Sequence, residues 1–227
     1  MDESAGMRIS TPLVISRMIP LQSRTEQLGG GLICRCDAVH PLTQDAVFLA
    51  SFAAPQPQEI ACDLGTGNGI IPLLWREAGF EGQITAVELM PQAAALAREN
   101  FSQDALKAPI VLLQEDLRRL PEQLTAVFDL VCMNPPFFPL DGARTSPNAE
   151  RAAARSEMFC TPQDVCRAAA KLLKPTGRFC LCIPPARLED YQAALAQSGL
   201  TVVRKQLQSN ACGAPYLVLL ETKRSNL

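Results

Sequence analysis

The chain has 227 residues, 48% of them hydrophobic and 19% charged, with 21 Lys and Arg against 23 Asp and Glu. This is the size and balance of one globular domain with a good core, and no apolar run reaches the roughly 20 residues that a membrane-spanning helix needs, so a membrane partner is excluded. A net charge of −2 does not advertise nucleic-acid binding, and the start Met1-Asp2-Glu3-Ser4 lacks a basic stretch ahead of an apolar core, so no secretory signal and a cytoplasmic location are expected.

In chain order, residues 1–27 carry no pattern that assigns an element. Gly29-Gly30-Gly31 and the alternation through Leu32-Ile33-Cys34-Arg35-Cys36 predict a short strand or hairpin. Residues 1–40 thus read as an N-terminal extension to a domain over 41–227. Thr43 is a candidate cap for a helix from Gln44 to about Ala53, with Ala46, Val47, Leu49 and Ala50 inward, ended by Pro55 and Pro57. Strands and helices then alternate. Strand Glu59–Leu64 leads to helix Asn68–Ala78, and strand Gln83–Val87 to helix Pro91–Phe101. Strand Ile110–Gln114 leads to Asp116 and a short helical stretch. Strand Phe128–Met133 is followed by a polar segment over 138–160. Helix Pro162–Leu173, strand Arg178–Ile183, helix Arg187–Gln197 and strands Thr201–Leu207 and Tyr216–Glu221 complete the series. Seven strands with intervening helices predict an α/β fold, a doubly wound and mostly parallel sheet with helices on both faces.

Nine cysteines include no CxxC pair. Cys34/Cys36 and Cys180/Cys182 are two apart, which points both members to one face of a strand. They read as small core hydrophobes in a reducing compartment. His40 is the single histidine, so a His-rich metal site is excluded and no metal is expected.

Two stretches carry chemistry. Residues 59–69 read Glu-Ile-Ala-Cys-Asp-Leu-Gly-Thr-Gly-Asn-Gly, a strand running into a glycine-rich turn. Its glycines let the backbone bend sharply and approach a ligand. The spacing is G-x-G-x-G, not the G-x-G-x-x-G of dinucleotide sites. The next strand runs into Glu88, and an acid at that strand end bonds ribose hydroxyls in doubly wound folds. Together these suit a nucleoside without a pyrophosphate, such as S-adenosylmethionine (SAM). The second stretch is Asn134-Pro135-Pro136-Phe137, directly after an apolar strand. Two prolines forbid both helix and central strand, so the chain is stiff where it leaves the sheet. The Asn134 oxygen and a proline carbonyl can accept N–H bonds from a flat amine while Phe137 stacks on its face. Asp63, Glu88, Asp116 and Asn134 all fall at the carboxyl ends of successive strands, where such sheets bind ligands.

Over roughly residues 28–221 these features resemble the class I SAM-dependent methyltransferases that methylate amines, with their Rossmann-like sheet. More narrowly, the chain resembles bacterial tRNA1(Val) adenine-37 N6-methyltransferases. Leu42 through Ala50, Asp63 through Pro72 and Ala154-Arg155-Ser156-Glu157 match that family, with Ser156 where the family has histidine. The resemblance implies a cofactor site at Thr43, Asp63, Gly65, Thr66, Gly67, Asn68, Gly69, Glu88, Leu89, Asp116, Leu117 and Asn134. The loop would hold the methionine end, Glu88 the ribose, and Asp116 with Leu117 the adenine. It implies catalytic residues Asn134, Pro135, Pro136 and Phe137, and an RNA acceptor, tRNA, met by Phe137, Phe138, Arg151 and Arg155. Between 141 and 187 eight cations stand against four acids, a local +4 that could steer a polyanion or simply be a solvated face. The oligomeric state is left open.

Three other readings share the motifs. A guanine-N2 ribosomal RNA methyltransferase commonly carries an additional domain. A protein-glutamine N5-methyltransferase usually has a helical domain before the core, for which 40-odd residues are too few. A non-catalytic interaction protein on the same fold would be expected to lose Asn134 or the loop glycines, and both are intact.

Overall fold

The computed structural model describes residues 24–135 and 160–225. Strands β1 (Arg24–Gln27) and β2 (Ile33–Cys36) form an antiparallel hairpin. Helix α1 (Gln44–Ala53) starts where the Thr43 hydroxyl accepts the Ala46 N–H at 3.3 Å, which satisfies one of the orphan donors of a first turn. The series continues with β3 (Ala61–Leu64), α2 (Ile70–Glu77), β4 (Ile84–Glu88), α3 (Pro91–Asn100), β5 (Ile110–Gln114) and β6 (Phe128–Met133). It ends with α4 (Pro162–Leu172), β7 (Leu173–Ile183), α5 (Leu188–Gln197), β8 (Leu200–Ser209) and β9 (Pro215–Arg224). Among the described residues no helix is long and apolar enough to cross a membrane.

Seven strands form one sheet in the order β5-β4-β3-β6-β7-β9-β8. The five strands from β5 to β7 run parallel, and β9 is antiparallel to both its neighbours. The α/β, mostly parallel architecture read from the sequence is therefore present. The chain winds outward from β3 to β5, then returns to lay β6 on the other side of β3. This reversal opens a crevice at the carboxyl ends of β3 and β6.

The sheet separates two cores because successive strand residues face opposite ways. On β6, Leu130 and Cys132 join one cluster with Leu49, Leu73 and Trp75. Val131 and Met133 join the other with Val165, Leu172 and Phe179. Each such fully buried large side chain contributes about 1.5–3 kcal/mol. Seven of the cysteines are buried, Cys160 is partly so, and Cys212 is exposed, so the core-hydrophobe reading fails for the last.

Several boundaries move for identifiable reasons. Strand β3 begins at Ala61 rather than Glu59, because the Ile60 N–H is taken by Asp129 Oδ2 at 2.9 Å. Helix α2 begins at Ile70 rather than Asn68, because Gly69 sits at φ 85°, a left-handed conformation outside the helix. Strand β7 begins at Leu173, five residues early, since Leu173 pairs with Phe128 ahead of an irregularity in register. Val47, expected inward, is exposed. The buried residues of α1 are Ala46, Leu49, Ala50, Phe52 and Ala53; Ala46, Leu49, Ala50 and Ala53 follow the i, i+3, i+4, i+7 spacing that leaves Val47 on the flank. The described part of the N-terminal extension is packed into the domain, with Cys34 and Cys36 in its core.

Candidate functional site

The glycine loop leaves β3 at Leu64 and crosses the end of β4. The Thr66 N–H reaches the Val87 carbonyl at 2.9 Å, and the Gly69 N–H turns back to the Thr66 carbonyl at 2.9 Å. Gly67 has φ 59°, and a Cβ added there would meet nothing within 4 Å, so the loop faces open space. A Cβ on Gly69 would lie 2.4 Å from the Phe101 ring, so the ring has room only because that residue is glycine. Glu88 braces the loop from below. Its Oε2 accepts the Gly67 N–H at 2.8 Å and its Oε1 the Met90 N–H at 2.8 Å. The carboxylate is thus held rigidly at the strand end, each oxygen retaining acceptor capacity.

Asp63 is 1% exposed. Its Oδ2 accepts the Thr66 hydroxyl at 2.6 Å, while Oδ1 has no partner among the described residues. Burial pushes its carboxyl up to about 7; the Thr66 hydrogen bond works against this, and the Glu88 charge adds to it. A buried acceptor left unmade costs free energy, so the site suits a cationic or N–H donor arriving from a ligand. SAM is the cofactor of class I methyltransferases, and these residues fit it. Asp63 can meet an ammonium, the open loop a methionine chain, and Glu88 a pair of hydroxyls.

The remaining predicted cofactor residues are placed unequally. Leu89 and Leu117 are half-buried beside the crevice strands β4 and β5. Asp116 lies just past β5, but both its oxygens are held by Arg118, at 2.9 Å to Oδ1 and 2.5 Å to Oδ2. The Arg118 hydrogen bonds hold its carboxyl below the usual carboxylate range. The Thr43 hydroxyl is engaged in capping α1. The Asn68 side chain turns away from the open face of the loop. It is 2% exposed, and its Nδ2 donates to the His40 carbonyl at 3.1 Å and to the Cys36 sulfur at 3.4 Å. Its backbone carbonyl accepts from Asn100 Nδ2 at 2.8 Å, which leaves the backbone N–H for a ligand.

Asn134 and Pro135 follow β6 directly, Asn134 half-buried and Pro135 buried. Because β3 and β6 pair Leu64 with Met133, Gly65 and Asn134 stand on adjacent strand ends. Pro136, Phe137, Phe138, Arg151, Arg155 and the Ala154–Glu157 segment lie outside the described residues. Within the basic stretch, Lys171 pairs with Glu122 at 2.7 Å, Lys174 with Asp129 at 2.7 Å, Arg178 with Glu59 at 2.8 Å and Arg187 with Asp190 at 3.0 Å. Those four cations are satisfied within the domain and form no bare positive face.

Sequence reasoning missed a polar clasp behind the loop. Asn100, 0% exposed, accepts the Arg35 N–H at 2.8 Å and donates to the carbonyls of Arg35 at 2.9 Å and Asn68 at 2.8 Å. Gln103 brackets Ile33 in the same way, at 2.8 Å to both its N–H and its carbonyl. The two amides fasten β2 to the end of α3 and to the loop. The available signal was an asparagine in the last turn of the helix read as Pro91–Phe101, where the structure ends the helix at Asn100.

Comparison with known proteins agrees with this geometry. A family model described as "Methyltransferase domain" matches residues 56–215. The tRNA1(Val) (adenine(37)-N6)-methyltransferase of Tolumonas auensis is 31% identical over 182 residues, covering 79% of this chain and 75% of that protein. The protein of the same description from Photorhabdus laumondii is 30% identical over 156 residues, 68% of this chain, and the match spans just under two thirds (63%) of its length. Among solved structures, a predicted O-methyltransferase from Agrobacterium tumefaciens superposes with TM-score 0.62 at 21% identity, covering 81% of this chain and 82% of that one. At that identity the likeness speaks for the fold alone. The crevice and the family match converge, and the chain belongs to the class I methyltransferase-domain family, in the group of the tRNA1(Val) (adenine(37)-N6)-methyltransferases.

Proposed function

We propose that the chain transfers a methyl group from SAM to the exocyclic N6 of an adenine in tRNA, at position 37 in the anticodon loop of a valine tRNA. The observation that carries this reading is the pairing of Leu64 with Met133, which sets the donor loop and the Asn134-Pro135 turn side by side. The descriptions of the relatives support the acceptor.

SAM, when bound, supplies an activated sulfonium methyl, so the chain's own task is placement. Asp63 Oδ1 receives the ammonium and Glu88 the ribose hydroxyls, while Leu89, Asp116 and Leu117 border the adenine. The Gly65–Gly69 backbone and Thr43 complete that side. Asn134 Oδ1 and the Pro135 carbonyl accept the two N–H bonds of the acceptor amine. This turns its lone pair out of conjugation and toward the methyl. Such alignment supplies roughly 7–11 kcal/mol of a barrier. Pro136 keeps the turn stiff. Phe137 stacks on the base, a contribution of about 1–3 kcal/mol, with Phe138 beside it, and Arg151 and Arg155 take phosphates. A base must leave its stack to enter, which is easiest in a single-stranded loop, and a tRNA acceptor would put the reaction in the cytoplasm.

The test combines Asn134→Ala with product analysis. The variant should bind SAM within about threefold of wild type by calorimetry, while transfer to a tRNA1(Val) transcript collapses by at least a hundredfold. Phe137→Tyr should be tolerated and Phe137→Leu should not. Nucleosides from the methylated transcript should contain N6-methyladenosine. N2-methylguanosine, or label from SAM appearing only in protein, would point to another acceptor. A fully active Asn134→Ala enzyme would remove the mechanism.

A further inference from the structure

Beside the Asn134 amide stands a thiol that the sequence assigns to packing. Strands β6 and β7 pair Cys132 with Cys180 and Met133 with Leu181. The next step of the same register brings Asn134 opposite Cys182. The Cys182 sulfur donates to Asn134 Oδ1 at 3.1 Å. Cys182 is 0% exposed. Burial first, then the charges of Asp45 at the start of α1 and of Asp63 at the end of β3, push its thiol well above the usual range. A thiol can also accept from an amide NH2, as Cys36 does from Asn68, but here it is the Asn134 oxygen that lies at the sulfur, so the S–H donates to it and the NH2 is turned away.

We infer that Cys182 is a positioning residue for methyl transfer: its S–H fixes which way up the Asn134 amide stands, and hence where Oδ1 offers its second lone pair. The inference rests on the reading of Asn134 as the group that holds the acceptor amine. A carboxamide oxygen has two acceptor sites. With one taken by Cys182 from within the sheet, the other is directed out of the strand end toward an arriving N–H. Cys180, two residues earlier, faces Cys132 and has no such task. The thiol binds no substrate; it acts through the amide.

The experiment compares Cys182→Ser, which keeps a donor, with Cys182→Val and Cys182→Ala, which remove it while filling or vacating the space. Two readouts are taken. The first is the side-chain NH2 resonance of Asn134 in 15N-labelled protein, identified by its loss in Asn134→Ala. The second is the single-turnover rate with tritiated SAM and a tRNA1(Val) transcript, alongside KM for the transcript and Kd for SAM. Expected are a shifted amide resonance in the Val and Ala variants but not in the Ser variant. The rate should fall ten- to a hundredfold in Val and Ala, at unchanged Kd and KM, and stay within about threefold of wild type in Ser. A folded Val or Ala variant with wild-type resonance and rate would overturn the inference, as would a Ser variant as slow as Ala. Should the Val variant not fold, the Ala and Ser pair decides. The resonance decides independently of the acceptor, so full activity of Asn134→Ala would remove the mechanism while leaving this hydrogen bond to be judged separately.

Discussion

Asp63 and Thr66 meet across the first turn of the glycine loop, the threonine hydroxyl donating to one carboxylate oxygen at 2.6 Å while the other has no partner among the described residues. The pair fixes the loop before any ligand arrives and keeps one acceptor in reserve.

A pH dependence follows. Burial raises the Asp63 carboxyl to about 7, from 3.8. The folded state therefore holds a proton that the unfolded chain gives up. The stability this contributes is fully present below about 4 and is lost as pH rises toward and through 7. In the ligand-free protein, Tm should fall between pH 5 and pH 8, and the fall should be shallower in Asp63→Asn. Binding of SAM, by offering a cation to Oδ1, should favour the ionised form and release a proton near pH 6.5. Calorimetry in buffers of different ionisation heat reads that release, which should vanish in Asp63→Asn.

Glu88 braces the Gly67 and Met90 amides and is the acceptor proposed for the ribose hydroxyls. Hydrogen bonds to a charged group contribute about 1.5–3 kcal/mol. Glu88→Ala should therefore weaken SAM binding by at least tenfold in titration calorimetry. Glu88→Gln, which keeps one oxygen for the loop, should lose less. An unchanged Kd in Glu88→Ala would take this carboxylate out of the site.

The Asn100 clasp predicts a defect at a distance from the crevice. Asn100→Leu removes the partners of Arg35 and Asn68, and each buried group left unsatisfied costs about 1–3 kcal/mol. Amide exchange at residues 33–36 should accelerate, and SAM affinity should fall although no ligand contact is altered. Normal protection of β2 in the variant would show that the hairpin is held by packing alone.

For RNA, Arg151 and Arg155 are the cations proposed to meet phosphates. Replacing both with Glu should raise KM for tRNA much more than for SAM. The slope of log affinity against log salt should flatten by about two phosphate contacts' worth. Equal effects on both substrates would assign the two arginines to the fold.

Most of the sheet was legible because its punctuation is local. Pro91 at a first turn, Thr161 with its Asp164 capping box and Gly199 after a helix each mark a boundary by backbone chemistry alone. What could not be read depends on partners far along the chain. Asp129 takes the N–H of a residue 69 positions away and so trims β3. The sulfurs of Cys34 and Cys36 accept from Asn68, which turns a residue read as a ligand contact into a strut. The stretch Leu173-Lys174-Pro175-Thr176-Gly177 has the composition of a turn, yet its first residue is held against Phe128. The strand-end positions of Asp63, Glu88 and Asn134 were readable because strand ends are set by apolar runs. The clasp and the thiol beside Asn134 were not, since the first ties the end of a helix to a strand 65 residues earlier and the second joins two strands 48 residues apart.

The order of the sheet has a bearing on synthesis. Strand β9 lies between β7 and β8, antiparallel to both, so β8 emerges from the ribosome with no edge to join. It must wait, exposed, until Pro215–Arg224 has followed it out, and a stop codon anywhere between the two removes an interior strand while leaving an orphaned one. The parallel half, with the donor loop, has all its strands in hand once β7 has emerged, so a nascent chain has its methyl-donor crevice laid out before the far side of its own sheet exists.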